Sequence, residues 1–374
     1  MHVVFLNYLY PPACRDPEEL FAHYRTISEW CAALRQAGVD RVSVVQGFGR
    51  DVTYDLNGVH YVLVHDLIPP LGRMVAPPLR VHRQVVALQP DVVHHNGLPF
   101  YMPRLRRTLA NSTAIVWQHH GGGFPRPYVR FLHRHGFTAV DGCFFVSRLQ
   151  ADPWLMQGML NDRHLLLEIP EASTTFTVHD TLDCRRSLQW HGSPLLLWVG
   201  HLNANKDPLT VLRGFAACVN DLPEAMLYMV FTTSELLEHV RSLISTCGLT
   251  GRVVLLGALS RKTLEEAYSA ADLFVLGSHH EGSGFALIEA LACGAVPIVT
   301  DIPSFRSLTG DGSVGYLWTP GDHTSFSAGL LTAVKQAPGR AKVLRHFSAR
   351  LSYASIGRAA AEAYEQVHSV RVAA

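Results

Sequence analysis

The sequence predicts an α/β protein made of two Rossmann-like parallel-sheet domains facing one another across a cleft. Short apolar, β-branched runs alternate with helical periodicity along most of the chain, the pattern of repeated βαβ units. A length of 374 residues exceeds what one hydrophobic core usually serves, so two domains are expected. The alternation breaks once, in the polar stretch 171–192, which has no apolar period and reads as a linker.

In the first half, strands are predicted at 2–10, 41–47, 59–65, 91–95, 114–119, 142–147 and 165–169. The clearest helix is 17–37: Asp16 suits the N-cap, Pro17 the first helical position, Glu19 a box-like start, and Gly38 the stop. After the linker, strands are predicted at 194–199, 225–231, 252–257, 273–277 and 296–300. Helices are predicted at 207–220, 234–247, 261–271, 284–293 and 323–336. The run from Leu195 to Gly200 is continuously apolar, as a strand covered on both faces should be. The division that follows is 1–172 and 173–351, with a C-terminal helix at about 352–374 packing back on the first domain.

Composition narrows the classes. At 48% hydrophobic, 17% charged and net charge +1, the chain gives no reason to expect nucleic-acid binding or disorder. No run is apolar enough to span a bilayer, and the N-terminus reads as a first strand rather than a leader. Seven scattered cysteines, with no Cys-x-x-Cys pair, argue against a disulfide framework or a zinc site, so a reducing cytoplasmic setting is expected. The 32 basic residues include only four lysines, Lys206, Lys262, Lys335 and Lys342, so each lysine is a rare choice.

The most informative segment lies between His280 and Cys293. Glu281 and Glu289 are separated by seven residues, and Glu289 stands among Phe285, Leu287, Ile288 and Leu291. A carboxylate in apolar surroundings is costly unless something pairs with it or hydrogen-bonds to it, so Glu289 is expected to meet a polar ligand. Gly282, Ser283 and Gly284 read as a tight loop feeding a helix N-terminus, where backbone N–H groups and the helix dipole favour an anion. Together these features point to a pocket for a phosphorylated, hydroxyl-rich molecule. In open α/β sheets such ligands sit beyond the carboxyl ends of strands. The loop from Gly200 through His201 and Lys206 to Pro208 and the loop from Gly257 to Ser260 occupy equivalent positions.

Gly200, His201 and Leu202 followed by Lys206, then Glu281 and Glu289 with glycines behind the first, resemble retaining glycosyltransferases of family 4, the glycogen-synthase-like enzymes with the GT-B fold. Further matching pieces are Asp91 to Gly97, Gln118 to Gly122, Phe145 to Ser147, Ile169 with Pro170, and Leu276 to His280. The resemblance implies a hexosyltransferase moving a sugar from a nucleoside diphosphate sugar, a UDP-sugar by family frequency, with the anomeric configuration retained. It assigns donor binding to the second domain and acceptor binding to the first. Lys206 would hold the diphosphate, Glu289 the ribose hydroxyls, and Glu281 the donor sugar and the cation-like transition state. Gly282, Ser283, Gly284 and Phe285 would form the helix mouth. His120 would contact the sugar, with His119 as the neighbouring alternative. No Asp-x-Asp motif occurs, and the resemblance implies neither a metal nor another cofactor. The implied partners are the nucleotide-sugar donor and a small-molecule, saccharide or lipid-linked acceptor.

Competing readings remain at this point. A chance carboxylate pair on a surface helix is disfavoured by the apolar neighbours of Glu289, and a merely solvated Lys206 by the scarcity of lysine. His201 stands where the family has arginine, which weakens a phosphate contact near neutral pH. The first strand leads through Tyr8 to Arg15 without paired glycines, and the strand 225–231 continues into Thr232, Thr233 and Ser234 instead of a glycine turn. Arg126, Arg130 and Arg134 share a helix face, read as solvated in preference to peripheral membrane contact. A nucleotide-sugar 2-epimerase and a non-catalytic nucleotide-sugar binding subunit stay open. A dinucleotide dehydrogenase is disfavoured because no Gly-x-Gly-x-x-Gly follows a strand.

Overall fold

The computed structural model describes residues 1–8, 14–66, 78–97, 99–121, 125–336 and 338–374. They form two compact units, Met1–Ala172 with Tyr353–Ala374, and Ser173–Ser352. No described helix is long and apolar enough to cross a membrane.

The first unit holds β1 (His2–Asn7), β2 (Arg41–Gly47), β3 (Val52–Leu56), β4 (Val59–Val64), β5 (Val92–Asn96), β6 (Ala114–Gln118), β7 (Gly142–Phe145) and β8 (Leu165–Glu168). Among the described residues these make one eight-stranded sheet ordered β3-β4-β2-β1-β5-β6-β7-β8. It is parallel except where β3 runs antiparallel to β4. Val3 pairs with Val42 on one side and Val92 on the other, so β1 is central and wholly buried. That is why its apolar residues run on without alternation. Val4, Leu6, Val93 and Ile115 enter one core, and Val3, Phe5, Val44 and Val116 the other.

The helix Tyr353–Ala373 covers the second of these faces with Ile356, Ala360, Tyr364 and Val367. Gly357 permits the close approach: a Cβ there would stand 2.6 Å from the Ala33 carbonyl oxygen. The Tyr364 hydroxyl reaches His94 Nδ1 at 2.6 Å, and burial drives the His94 pKa well below its ordinary value.

Three expectations need correction. The helix drawn over 17–37 is two helices, Pro17–His23 and Arg25–Gln36, although Asp16 caps the first through the Glu19 N–H at 2.8 Å. Between them Tyr24 still donates to the Leu20 carbonyl at 2.9 Å, but at φ −102° and ψ 39° it departs from helical geometry and its own carbonyl accepts from the Ile27 N–H. The break lets Leu20 pack with Phe48 and Leu63 while Trp30, Cys31 and Leu34 enter the main core. The stretch 171–192 is not simply a linker, since Thr181–Leu188 is a helix capped by Asp180, which accepts from the N–H groups of Leu182 and Asp183, both at 2.9 Å. It buries Cys184 alone and so shows no apolar stripe. The first strand, expected over 2–10, is described as His2–Asn7, and residues 9–13 lie outside the described residues.

The second unit holds β9 (Leu195–Gly200), β10 (Met226–Phe231), β11 (Val253–Gly257), β12 (Leu273–Leu276), β13 (Val296–Thr300) and β14 (Tyr316–Trp318). They form a parallel six-stranded sheet ordered β11-β10-β9-β12-β13-β14 among the described residues. Chain order runs outward from β9 to one edge and from β12 to the other. The switch point therefore lies between these two strands, where an open α/β sheet leaves a crevice beyond its carboxyl end. The loops leaving β9 and β12 are those that carry Lys206 and Glu281.

Candidate active site

These two loops are tied together. Asn205 Nδ2 donates to the His280 carbonyl at 3.0 Å, and the His280 N–H returns to Asn205 Oδ1 at 3.0 Å. The His279 N–H reaches the Asn205 carbonyl at 2.8 Å, and the His279 ring meets Asp207 Oδ2 at 3.1 Å. Asp207, held at φ +40°, caps the following helix, Pro208–Cys218, by accepting from the Thr210 N–H. The clamp brings Lys206 Nζ onto the Glu281 carboxylate as an ion pair, although 75 residues separate them. Ser278 Oγ donates to the same carboxylate oxygen at 2.7 Å. The two charged side chains are 17% and 11% exposed, so their attraction is poorly screened by water.

Gly277 makes the clamp sterically feasible, because a Cβ there would stand 2.9 Å from the Asp207 carbonyl oxygen. Gly277→Ala is expected to push the two loops apart, costing about 1–3 kcal/mol of stability and weakening any ligand held by both. Denaturant unfolding with calorimetry of nucleoside diphosphate binding checks this. An unchanged affinity would mean that the two loops do not share a ligand.

Gly284 precedes the helix Phe285–Ala292 at φ +67°, where its Cβ would also collide with Leu308 at 2.7 Å. Gly284 offers no side-chain cap, and the first-turn N–H groups of an α-helix have no partner within the helix itself. Phe285 is 45% exposed at this mouth. Glu289 lies one turn further along, half-buried, and its partner within the protein is Tyr268, whose hydroxyl donates to Oε2 at 3.0 Å. Burial pushes the Glu289 carboxyl up to about 7, against the opposing pull of the Tyr268 hydrogen bond and the Arg261 guanidinium. The neighbouring helix Arg261–Ala270 thus supplies one hydrogen bond to this carboxylate.

His201 is exposed, with Nδ1 3.0 Å from Thr232 Oγ1. Two departures from the family pattern therefore meet each other, the histidine in place of arginine and the threonine in place of a glycine turn. Ser260 caps Arg261–Ala270 through the Thr263 N–H.

In the first unit, His120 is exposed just beyond β6 while His119 is buried against Phe145, Trp117 and Trp154. Nδ1 of His120 pairs with the Glu171 carboxylate, and Nε2 lies 3.0 Å from Asn96 Oδ1. Gly122 and Gly123 lie outside the described residues. Arg130 and Arg134 lean on Gln157, through its side-chain oxygen at 3.1 Å and its carbonyl at 2.9 Å.

Sequence reasoning did not single out Ser278, Tyr268, Asn96 or Glu171. Asn96 lay within a recognised segment, and Glu171 directly follows Ile169 and Pro170, so position was the one available signal. Among the described residues, no group of three or more histidine, cysteine, aspartate or glutamate side chains is arranged to hold a metal ion.

The family of glycosyl transferases group 1 matches residues 182–347, and glycosyltransferase family 4 matches residues 25–159. The GDP-mannose:cellobiosyl-diphosphopolyprenol alpha-mannosyltransferase of Xanthomonas oryzae is 27% identical over 234 residues, 61% of this chain and 60% of that protein. The mannosylfructose-phosphate synthase of Agrobacterium fabrum is 31% identical over 175 residues, 44% of this chain and 38% of that one. The chain thus covers less than two thirds of either relative's length. Sucrose-phosphate synthase from Thermosynechococcus elongatus superposes with a TM-score of 0.71 over 98% of this chain and 99% of its own, at 16% identity. A glycosyltransferase from Rickettsia africae gives 0.72 over 97% and 98%, at 14% identity, a likeness of fold. The solved structures share the GT-B fold nearly end to end, and the two family matches, which together cover most of the chain, make it a family 4-like glycosyltransferase.

Proposed function

We propose that the chain is a hexosyltransferase that moves a sugar from a nucleoside diphosphate sugar to a hydroxyl acceptor with retention of the anomeric configuration. The observation that carries this reading is the Lys206–Glu281 pair at the switch point of the second sheet, beside an uncapped helix mouth. A cation and helix N-terminal N–H groups suit a diphosphate, and a carboxylate next to them suits sugar hydroxyls and a developing positive charge. Lys206 exchanges part of its contact with Glu281 for the diphosphate, and the backbone of Gly284 and Phe285 reaches the same phosphates. Glu289 accepts from the ribose hydroxyls. Glu281 steadies the cation-like sugar, and His120 contacts a sugar hydroxyl. The leaving diphosphate takes the acceptor's proton, so no metal step is required. In this reading Ser173–Ser352 is the donor unit and Met1–Ala172 the acceptor unit.

Uridine is the base expected from the family at large, whereas the Xanthomonas relative is named for GDP-mannose. The names of the relatives also include a diphosphopolyprenol-linked saccharide and an inositol phosphate as acceptors, so a phosphorylated or lipid-linked hydroxyl compound is the acceptor class to test. A thermal-shift screen of UDP, GDP, UDP-glucose and GDP-mannose, followed by donor turnover with such acceptors, tests the proposal. Binding without turnover would favour a non-catalytic subunit, and an epimerised donor would favour a 2-epimerase.

Lys206→Ala is expected to weaken nucleoside diphosphate binding by roughly 1.5–3 kcal/mol, the scale of a charge-assisted hydrogen bond. Calorimetry measures it directly, and an unchanged Kd would remove Lys206 from the phosphate site.

A further inference from the structure

Three strands of the first sheet end on one polar network. Asn96 ends β5, His120 follows β6, and Glu171 follows β8 after Ile169 and Pro170. Asn96 Oδ1 lies 3.0 Å from His120 Nε2 and 3.2 Å from His94 Nε2, while His94 Nδ1 faces the Tyr364 hydroxyl at 2.6 Å. An amide oxygen is an acceptor only, so both Nε2 atoms facing it carry hydrogen. The buried His94 is neutral, as its lowered pKa requires, and so accepts from Tyr364 at Nδ1. On its other side His120 presents Nδ1 to the Glu171 carboxylate, and one proton lies between them. The Glu171 side chain is 5% exposed and the His120 side chain 45% exposed, so a sheltered carboxylate holds an accessible ring.

We propose that Glu171 is a positioning residue that orients the His120 ring by holding Nδ1, so that Nε2, whose hydrogen points at Asn96 Oδ1, is placed to donate to a sugar hydroxyl. The inference rests on the reading of His120 as a sugar contact and deepens it. Without Glu171 no other described partner holds the Nδ1 side, and the ring is free to turn about χ1 and χ2. Such a turn removes the donor from the hydroxyl, and misplacement of a contacting group by an ångström is costly in rate.

Two measurements test this. The first needs no substrate: carbethoxylation of His120 by diethyl pyrocarbonate, followed by peptide mass spectrometry, reports how well both ring nitrogens are engaged. His120 should react roughly tenfold faster in Glu171→Ala than in the unmodified protein, while Glu171→Gln, whose amide can still bond Nδ1, should stay close to the unmodified rate. Equal rates in all three proteins would overturn the proposal. The second is a double-mutant cycle on donor turnover. Glu171→Ala should lower kcat about tenfold or more with little change in donor KM, Glu171→Gln should restore most of it, and Glu171→Ala added to His120→Ala should cost nothing further. An equal loss in both backgrounds would mean that Glu171 does not act through His120. If His120→Ala itself leaves turnover intact, the sugar-contact reading fails, and the labelling result still decides whether Glu171 holds the ring.

Discussion

Glu281→Gln is expected to lower turnover by roughly two to three orders of magnitude while nucleoside diphosphate affinity stays within a few fold. The substitution keeps the shape of the side chain and its contact with Ser278 Oγ, but removes the charge facing Lys206. A neutral amide still accepts a hydrogen bond from a ground-state sugar, yet it no longer offsets positive charge on the anomeric carbon as the donor bond breaks. The loss thus belongs to the transition state and appears in kcat. Lys206, released from its anionic partner, remains available to the diphosphate, so UDP or GDP should bind as well as before or somewhat more tightly. Steady-state kinetics together with calorimetry separate the two effects. Turnover unaffected by the change would remove Glu281 from the mechanism.

The second large effect is a trade between stability and binding at Glu289. Its carboxyl is raised from 4.5 to about 7 in the folded chain, chiefly by burial. Below pH 4.5 it is neutral folded or unfolded and costs nothing. Between pH 4.5 and 7 the unfolded chain ionises first and stability falls. Above pH 7 both states are ionised, and the accumulated penalty, at about 1.4 kcal/mol per pH unit, is about 3 kcal/mol. Glu289→Gln carries no such penalty and can still accept from Tyr268. It should therefore stabilise the free protein by up to about 3 kcal/mol at pH 8 and by almost nothing at pH 4. The same substitution should weaken nucleoside binding, because ribose hydroxyls donate most strongly to an ionised carboxylate. Donor affinity of the unmodified chain should fall correspondingly as pH drops below 7. Urea unfolding at the two pH values, with calorimetry at pH 8, tests both arms. A less stable Glu289→Gln at pH 8 would contradict the burial account. Increased stability with unchanged nucleoside affinity would leave the carboxylate without a ribose role.

The parallel sheets were legible because buried strands such as β1 and β9 are apolar throughout, and because Pro17, Asp16 and Gly38 mark helix ends by local chemistry. Features decided by distant partners were not. The break at Tyr24 follows from two different packing sites for Leu20 and Trp30, and nothing in the local period announces it. The helix Thr181–Leu188 rests on a single buried cysteine. One local signal went unread: Asn57 and Gly58, at φ +53° and +73°, form the tight turn joining β3 to β4, and an Asn-Gly pair between apolar runs is a strong hairpin mark. In the candidate site, the residue types of Lys206, Glu281 and Glu289 were visible. The contact between Lys206 and Glu281, the hydroxyl of Tyr268 on Glu289, and the carboxylate of Glu171 on His120 became visible only with the fold.

The path of the chain has a practical corollary. Residues 173–352 form one unit from a single uninterrupted stretch, whereas the other unit draws on both ends of the sequence. A recombinant fragment spanning the former is expected to fold alone, which soluble expression followed by ligand titration checks. A fragment stopping at residue 172 would bare the groove that Ile356, Tyr364 and Val367 fill, and would strand His94 without its phenol. Producing that half independently calls for grafting the last helix back on through a flexible tether or supplying it as a separate peptide.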